Sequence, residues 1–389
     1  MKPVILLSHG FQSEYEIGFA NGLARRGIAV TLIASDSTFA SRAVPGVEIV
    51  NLRGSQDPRR PALAKLANML GYLLRYPMYL LAHRGAPVHV IGQFSTRSTW
   101  VALAEAWVTR VFGGAFVLTL HNLLPHERHS RLNHWIFQRI VRAPARLVVH
   151  TPRMARLACE RYGLDPARVA VMEHGFDRPL AGNGQGGRED WRARHEIPPA
   201  ARVALMFGMV ARYKGPDVLL EAFAQAAGHD DLYLVIAGHC RESKLRNELH
   251  QAIAAHPCRS RIRWSDAFVA DAEVPALLAA ADCMVLAHRH VDQSGVLFAA
   301  LSAGLPFVAS DVGSFADYRR DGIDEIVPAG DGAALAQAML RCLRRPEPDR
   351  QALARAAAAR WDWRETTGSV VQVYREVFGE VKHAKAVSR

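Results

Sequence analysis

The sequence predicts an α/β protein made of two doubly wound, Rossmann-like domains. Three observations lead there. Short apolar runs of strand length alternate with helical patterns, the mark of βαβ units and a parallel sheet. The alternation restarts after a glycine-rich stretch, AGNGQGG at residues 181–187, read as a flexible connection. A chain of 389 residues also has room for two domains, each with its own core.

In chain order, residues 3–8 are an apolar run, 15–26 a helical pattern closed by Gly27, and 28–34 the next strand. Gly10 follows the first strand, where a glycine lets the backbone approach a ligand phosphate or sugar. Residues 63–84 read as a helix, with Leu63, Leu66, Ala67, Leu70, Leu73 and Leu74 at helical spacing and Tyr72, Tyr76 and Tyr79 on the remainder. Pro77 is expected to kink or divide it. The pattern fits a helix half-buried against the sheet of its own domain, and it fits an interfacial helix that dips into a bilayer. Strands at 88–91 and 116–120 flank a helix around 96–112. The second of them runs into His121-Asn122 and on to Glu127, where an imidazole and an amide can bond sugar hydroxyls and a carboxylate can accept a proton. A strand at 145–150, a helix at 152–161 and a strand at 169–172 ending in EHGFD (173–177) complete the first half.

The second half opens with a strand at 203–207, the loop 208–215, a helix at 216–226 and a strand at 233–237 followed by Gly238-His239. After segments 263–268 and 272–281 comes the stretch around which the chain is organised, VLAHRHVDQSGVLFAALSAGLPFVASDVG (285–313). It reads as a strand end, a polar loop, a helix from Val296 stopped by Gly304-Leu305-Pro306, and a strand at 307–310. Ser294 is placed to cap that helix and Gly295 to admit a ligand, and the free amides with the helix dipole form an anion pocket. A helix at 332–344 and a last helical pattern at 363–377 precede the basic tail KHAKAVSR.

Half the residues are hydrophobic, yet no unbroken apolar run reaches the roughly 20 residues of a membrane span. The start, MKPVILLSHGFQSE, reads as a strand and not a signal peptide. Five scattered cysteines without a CxxC point to a reducing compartment and packing roles. Residues 1–177 hold 21 Lys and Arg against 11 Asp and Glu, so almost all of the formal charge of +11 lies in the first half. Such a basic half attracts an anionic membrane surface or nucleic acid. No zinc finger, basic zipper or RNP signature supports the second.

The stretch 285–313, the loop GMVARYKG with PDVLLEAF behind it, His121-Asn122 and EHGFD together resemble glycosyltransferase family 4. The resemblance implies the GT-B architecture, two Rossmann-like domains facing across a cleft. Residues 1–177 would form the acceptor side, 178–362 the nucleotide-sugar side, and 363–389 a helix and tail returning to the first domain. It implies that Lys214 neutralises the donor diphosphate. The family's arginine slot after Gly208 holds Met209, so Arg212 supplies the second charge. His121 would reach the donor sugar, with Glu127 as its catalytic neighbour and Gly10, Asn122, Gly208, Gly238 and His239 lining the substrate.

In the family an acidic residue opens the donor loop and another follows eight positions later. Counted back from Ala303-Gly304-Leu305-Pro306, those slots hold Val291 and Ala299. Asp292 or Gln293 then faces the sugar, while Ser294 and the amides of Gly295 and Val296 face the diphosphate. The implied activity is retaining transfer of a hexose from a UDP- or GDP-linked donor to a saccharide acceptor, of the polyprenyl-linked kind used for surface polysaccharide. No cofactor and no metal are implied, and the chain has no DxD triplet. The expected place is cytoplasmic, peripheral on the inner face of the membrane, with no nucleic-acid partner. Two rivals remain: an inactive glycosyltransferase-like binding protein, and a nucleic-acid-binding α/β protein suggested by a pI near 9.8.

Overall fold

The apolar runs become the strands of two parallel sheets. The computed structural model describes residues 2–9, 13–57, 59–92, 99–123, 130–176, 184–228 and 231–379. Residues 1–177 with 360–389 form one unit and residues 178–359 the other.

The first unit contains β1 (Val4–Leu7), α1 (Ser13–Arg25), β2 (Val30–Ala34), β3 (Val47–Asn51), α2 (Ala62–Ala82), β4 (Val88–Val90) and α3 (Thr99–Val108). It continues through β5 (Phe116–Thr119), α4 (Arg131–Arg142), β6 (Arg146–Val149), α5 (Pro152–Tyr162) and β7 (Val169–Val171). Its seven-stranded sheet has the order β3-β2-β1-β4-β5-β6-β7, every pair parallel. Both faces are covered. Ile5 and Leu7 of β1 point into one core, Val4 and Leu6 into the other, as the two-residue period of a strand requires.

The second unit runs α6 (Gly184–Arg194), β8 (Arg202–Phe207), α7 (Pro216–Ala226), β9 (Leu232–Ala237), α8 (Ser243–Ala254), β10 (Ile262–Ser265) and α9 (Val274–Ala280). Then follow β11 (Cys283–Leu286), α10 (Gly295–Ser302), β12 (Phe307–Ser310), β13 (Glu325–Val327), α11 (Gly332–Arg344) and α12 (Arg350–Trp361), whose last two residues belong to the first unit. The six strands are ordered β10-β9-β8-β11-β12-β13, again all parallel. The order reverses between β8 and β11, the switch point at which open parallel sheets bind ligands beyond their carboxyl ends. The chain ends in the first unit with α13 (Trp363–Thr366) and α14 (Gly368–Phe378). Trp363 lies so close to α1 that a Cβ on Gly18 would come within 2.1 Å of its indole nitrogen.

Two expectations are corrected and a third is narrowed. Of the two outcomes expected for Pro77, division is excluded, because α2 is continuous over 21 residues. Its leucine stripe is not the buried face either. Tyr72, Tyr76 and Leu80 are buried, whereas Leu63, Leu66, Leu70 and Leu74 are exposed. The tyrosines turn inward because the interior offers them polar partners. The Arg53 guanidinium lies over the Tyr72 ring at 4.6 Å, and the Tyr76 hydroxyl bonds Thr109 Oγ1 at 2.7 Å. Finally, the glycine-rich stretch is not all connection, since α6 already begins at Gly184.

Candidate functional site

The residues singled out in the second unit gather at the carboxyl ends of β8, β9 and β11. Gly208, directly after β8, has φ +87°, and a Cβ there would sit 3.1 Å from Val296 Cγ2 and 3.3 Å from Lys214 Nζ. Gly238, after β9, abuts the Gly208 carbonyl, which would lie 2.0 Å from an added Cβ. Gly215 has φ +64° and meets the Ala287 carbonyl, beyond β11, at 2.1 Å from the same hypothetical atom. Glycine is required there by both conformation and contact. It presses the turn Arg212–Lys214 onto the end of β11. A second clamp is formed by Arg289, whose amide donates to the Tyr213 carbonyl at 2.7 Å and whose guanidinium pairs with Asp217.

This clamping buries Lys214 to 6 % exposure. Burial alone lowers its pKa to about 8, and among the described residues no carboxylate lies within ion-pair distance of it. A buried ammonium without a counter-charge is costly, and natural folds usually pair it. Beside it α10 begins at Gly295. Ser294 stands at the cap position but its side chain makes no capping hydrogen bond, contrary to the sequence expectation. Its extended backbone already lets its carbonyl accept from Leu297 at 3.1 Å. The Lys214 ammonium and Val296, in the first turn of α10, thus both lie against Gly208, a setting suited to a diphosphate.

Two other candidates carry partners that the sequence did not show. Arg212 does not stand ready as a second free cation. It is half-exposed, and its guanidinium pairs with Glu242 at 3.1 Å and Glu248 at 2.8 Å, which hold its charge and raise its pKa. His239, beyond Gly238, is exposed and shares Asp266 with Arg246, at 3.1 Å and 2.8 Å respectively. Asp292 and Gln293 are half-buried in the loop before α10. The turn at Gly313 packs on that loop, 2.0 Å from the Val291 carbonyl to a Cβ at Gly313.

Sequence reasoning missed His288, the second residue after β11. It is 2 % exposed, packs edge-on against Phe315 at 5.1 Å and Tyr213 at 5.8 Å, and is held neutral near pH 7. Burial first, then the Lys214 charge, lowers its pKa to about 3. The only sequence signal was its position, a polar residue directly behind an apolar strand.

In the first unit, His121 sits at the tip of β5 at 5 % exposure. Its Nε2 is 2.8 Å from the Ile91 carbonyl and its Nδ1 is 3.1 Å from His150 Nε2. Both ring nitrogens are engaged between strand ends, and burial lowers the pKa to about 4. His121 thus stands at the strand tip where the sequence placed it, with neither ring nitrogen free in this arrangement. Asn122 is half-buried beside it. Gly10 and Glu127 lie outside the described residues.

Two doubly wound parallel-sheet units, the second with a buried cation and an uncapped helix start at its switch point, define a protein of the GT-B class. The family model described as "Glycosyltransferase Family 4" matches residues 15–178, and that described as "Glycosyl transferases group 1" matches residues 201–345. A phosphatidyl-myo-inositol mannosyltransferase of Mycobacterium leprae is 30% identical over 70% of this chain and 70% of its own length. The chain belongs to glycosyltransferase family 4. A D-inositol 3-phosphate glycosyltransferase of Salinispora tropica is also 30% identical, over 62% of this chain and 53% of its own length. The chain spans little more than half the length of the first curated relatives it matches. Among solved structures, HepE of Anabaena in complex with UDP-glucose superposes with a TM-score of 0.74 at 17% identity, covering 96% of this chain and 100% of that one. A sucrose-phosphate synthase of Thermosynechococcus elongatus gives 0.72 at 18% identity, covering 97% and 99%.

Proposed function

We propose that this protein transfers a hexose from a nucleotide diphosphate sugar, UDP- or GDP-linked, to a lipid-linked saccharide during surface polysaccharide synthesis. The observation that carries the reading is Lys214, a buried ammonium without a carboxylate partner among the described residues, beside the open start of α10. Departure of a nucleoside diphosphate builds negative charge on its phosphates. A prepositioned cation in a water-poor site stabilises that charge more in the transition state than in the ground state. Retention of configuration, and a reaction that runs without a metal, are proposed from family membership. The UDP-glucose complex of a protein with the same fold supports the choice of donor class.

The experiment is a thermal-shift screen of UDP, GDP and their hexose conjugates. A ligand present at 100 times its dissociation constant stabilises the protein by about 2.7 kcal/mol, a rise of several degrees. No shift with any nucleotide at millimolar concentration would remove the donor reading. The engaged nitrogens of His121 and the paired Arg212 favour one second reading, a sugar-nucleotide-binding relative without turnover. Hydrolysis of the nucleotide sugar that gives the largest shift separates the two.

The acceptor is proposed to be presented at a membrane, with the protein peripheral on its cytoplasmic face. No helix among the described residues is long and apolar enough to cross one. On α2, however, Leu63 is 82 %, Leu74 70 % and Met78 67 % exposed, with Lys65 and Arg75 along the same helix. Leucines open to water beside basic residues suit the interface of an anionic bilayer. In flotation with phosphatidylglycerol vesicles, binding is expected to rise with anionic lipid and fall with salt. Leu70→Glu with Leu74→Glu should reduce it about tenfold without lowering the melting temperature. Equal binding to neutral vesicles, or none, would remove the membrane from the proposal.

A further inference from the structure

Asp282, the residue before β11, is surrounded by more positive charge than it neutralises. Four guanidinium groups lie within 4.0 Å of its carboxylate: Arg188 at 2.7 Å, Arg192 at 2.8 Å, Arg202 at 3.8 Å and Arg350 at 4.0 Å. Among the described residues, one other carboxylate pairs with any of the four. It is Glu347, 3.4 Å from Arg188 and 4.0 Å from Arg350. Four positive charges thus face two negative ones. Arg350 also donates to the Leu278 carbonyl at 3.2 Å and to the Ala281 carbonyl, which satisfies hydrogen bonds but cancels no charge. Burial first, then the charges of Arg188 and Arg192 against the pull of Asp282 and Glu347, leaves the Arg350 guanidinium below its ordinary pKa.

Two of the four, Arg202 and Arg350, line an open hollow of about 400 Å³ together with Arg345, itself paired with Glu325. Pro306, Ile323 and Leu343 give the hollow an apolar wall. A mostly apolar wall with a few convergent polar groups is the usual make-up of a small-molecule site, and the volume is in the usual range. Arg202 is the cation open to a ligand. Its side chain is 43 % exposed, and its guanidinium makes no hydrogen bond among the described residues. Arg202 begins β8 and Asp282 precedes β11, so the hollow lies at the amino ends of these strands. Gly208 and the Lys214 turn lie beyond the carboxyl end of β8, whose six residues separate the two places by roughly 20 Å.

We propose that this hollow binds a small phosphate monoester, as a second anion site apart from the donor site. A monoester carries a charge of about −1.5 to −2 at neutral pH, which matches the two uncompensated guanidinium charges. A single carboxylate would answer only half of them. Guanidinium groups also suit phosphate oxygens geometrically, through paired N–H donors. The apolar wall receives the organic part of the ester. The inference does not depend on the donor reading, since none of its residues belongs to the Lys214 turn or the loop before α10.

The test is calorimetric titration with phenyl phosphate of the wild type, Arg202→Gln, Arg202→Lys and Lys214→Met. Wild type and Lys214→Met should bind within about threefold of each other, and Arg202→Gln roughly tenfold more weakly. Arg202→Lys keeps the charge but not the fork, and should fall between. Benzoate, with the same ring and one charge, should bind the wild type roughly tenfold more weakly than phenyl phosphate. Arg202→Gln should melt within about two degrees of the wild type, because its half-exposed guanidinium holds no hydrogen bond. Equal affinity of the wild type and Arg202→Gln would overturn the assignment. Loss in Lys214→Met instead of Arg202→Gln would also overturn it, by placing the anion in the donor site. Binding no tighter than that of sulfate, and abolished by about 0.15 M chloride, would mean an adventitious ion only.

Discussion

Lys214→Met is expected to lower turnover by about two to three orders of magnitude while raising the melting temperature of the free protein. Losing a preplaced charge-stabilising group in an enclosed site costs a factor of this size. The stability half follows from the absent counter-charge. Burial moves the lysine from its ordinary 10.5 down to about 8, so at neutral pH the folded state bears a penalty on the order of 3 kcal/mol relative to the unfolded chain. Methionine has a similar length, fills the same space and removes the penalty. A variant that melts lower and loses activity in proportion would mark Lys214 as structural. Full activity would end the diphosphate assignment.

The same residue sets a pH dependence whose sign is fixed. Because the folded pKa lies below the unfolded one, the unfolded chain binds more protons between about 8 and 10.5, and this contribution to stability improves as pH rises through that window. Donor affinity moves the other way, since the free protein loses the ammonium above about pH 8. His288 adds a slope at lower pH: held neutral down to about 3 in the folded state but protonated below about 6.5 in the unfolded chain, it costs stability as pH falls from about 6.5 towards 3. Arg212→Ala should cost far less than Lys214→Met, because that guanidinium is already spent on Glu242 and Glu248.

How much of this was legible beforehand depends on the range of the forces involved. Strands such as β8, β11 and β12 are unbroken apolar runs bounded by turns, and helices α7 and α11 have clear starts, so local pattern located them. By contrast β3 is half-exposed along its length and mixed in composition, and no apolar run announces it. For α2 the periodicity grouped the leucines correctly but not the direction they face. That was decided by Arg53, Glu105 and Thr109, which are distant in sequence or lie on another helix. Lys214 was legible because its glycine neighbours and following helix form a contiguous motif. The pairing of Arg212 was not legible because its partners, Glu242 just before α8 and Glu248 within it, lie 30 residues or more further on. His288 was overlooked because its meaning lies in what surrounds it.

The largest stability loss is expected from Asp282→Ala, at the opposite ends of the same strands from Lys214. Arg192 on α6 is 1 % exposed, yet all five of its donors are satisfied. Nε and Nη2 give to the Ala280 carbonyl, Nη1 to Pro199 and Ala201, and Nη2 also to Asp282 Oδ2 at 2.8 Å. The same carboxylate accepts from the Val203 amide at 2.7 Å and from Arg188 at 2.7 Å. One aspartate thus ties α6 and the start of β8 to the start of β11. Its removal strands a buried guanidinium and a backbone amide, which places the cost at about 3–5 kcal/mol. In a unit of this size that is a fall of roughly 6–20 °C. Asp282→Asn keeps an acceptor for the amide but not the charge, and should fall between. Melting of the alanine variant within a degree or two of wild type would show that the backbone carbonyls alone hold Arg192. The contrast with Lys214 is then the physical core of the functional argument. Within one unit the fold surrounds the buried Arg192 with acceptors on every side and leaves Lys214 without a counter-ion among the described residues, so of these two cations the second is the one able to receive an anionic ligand.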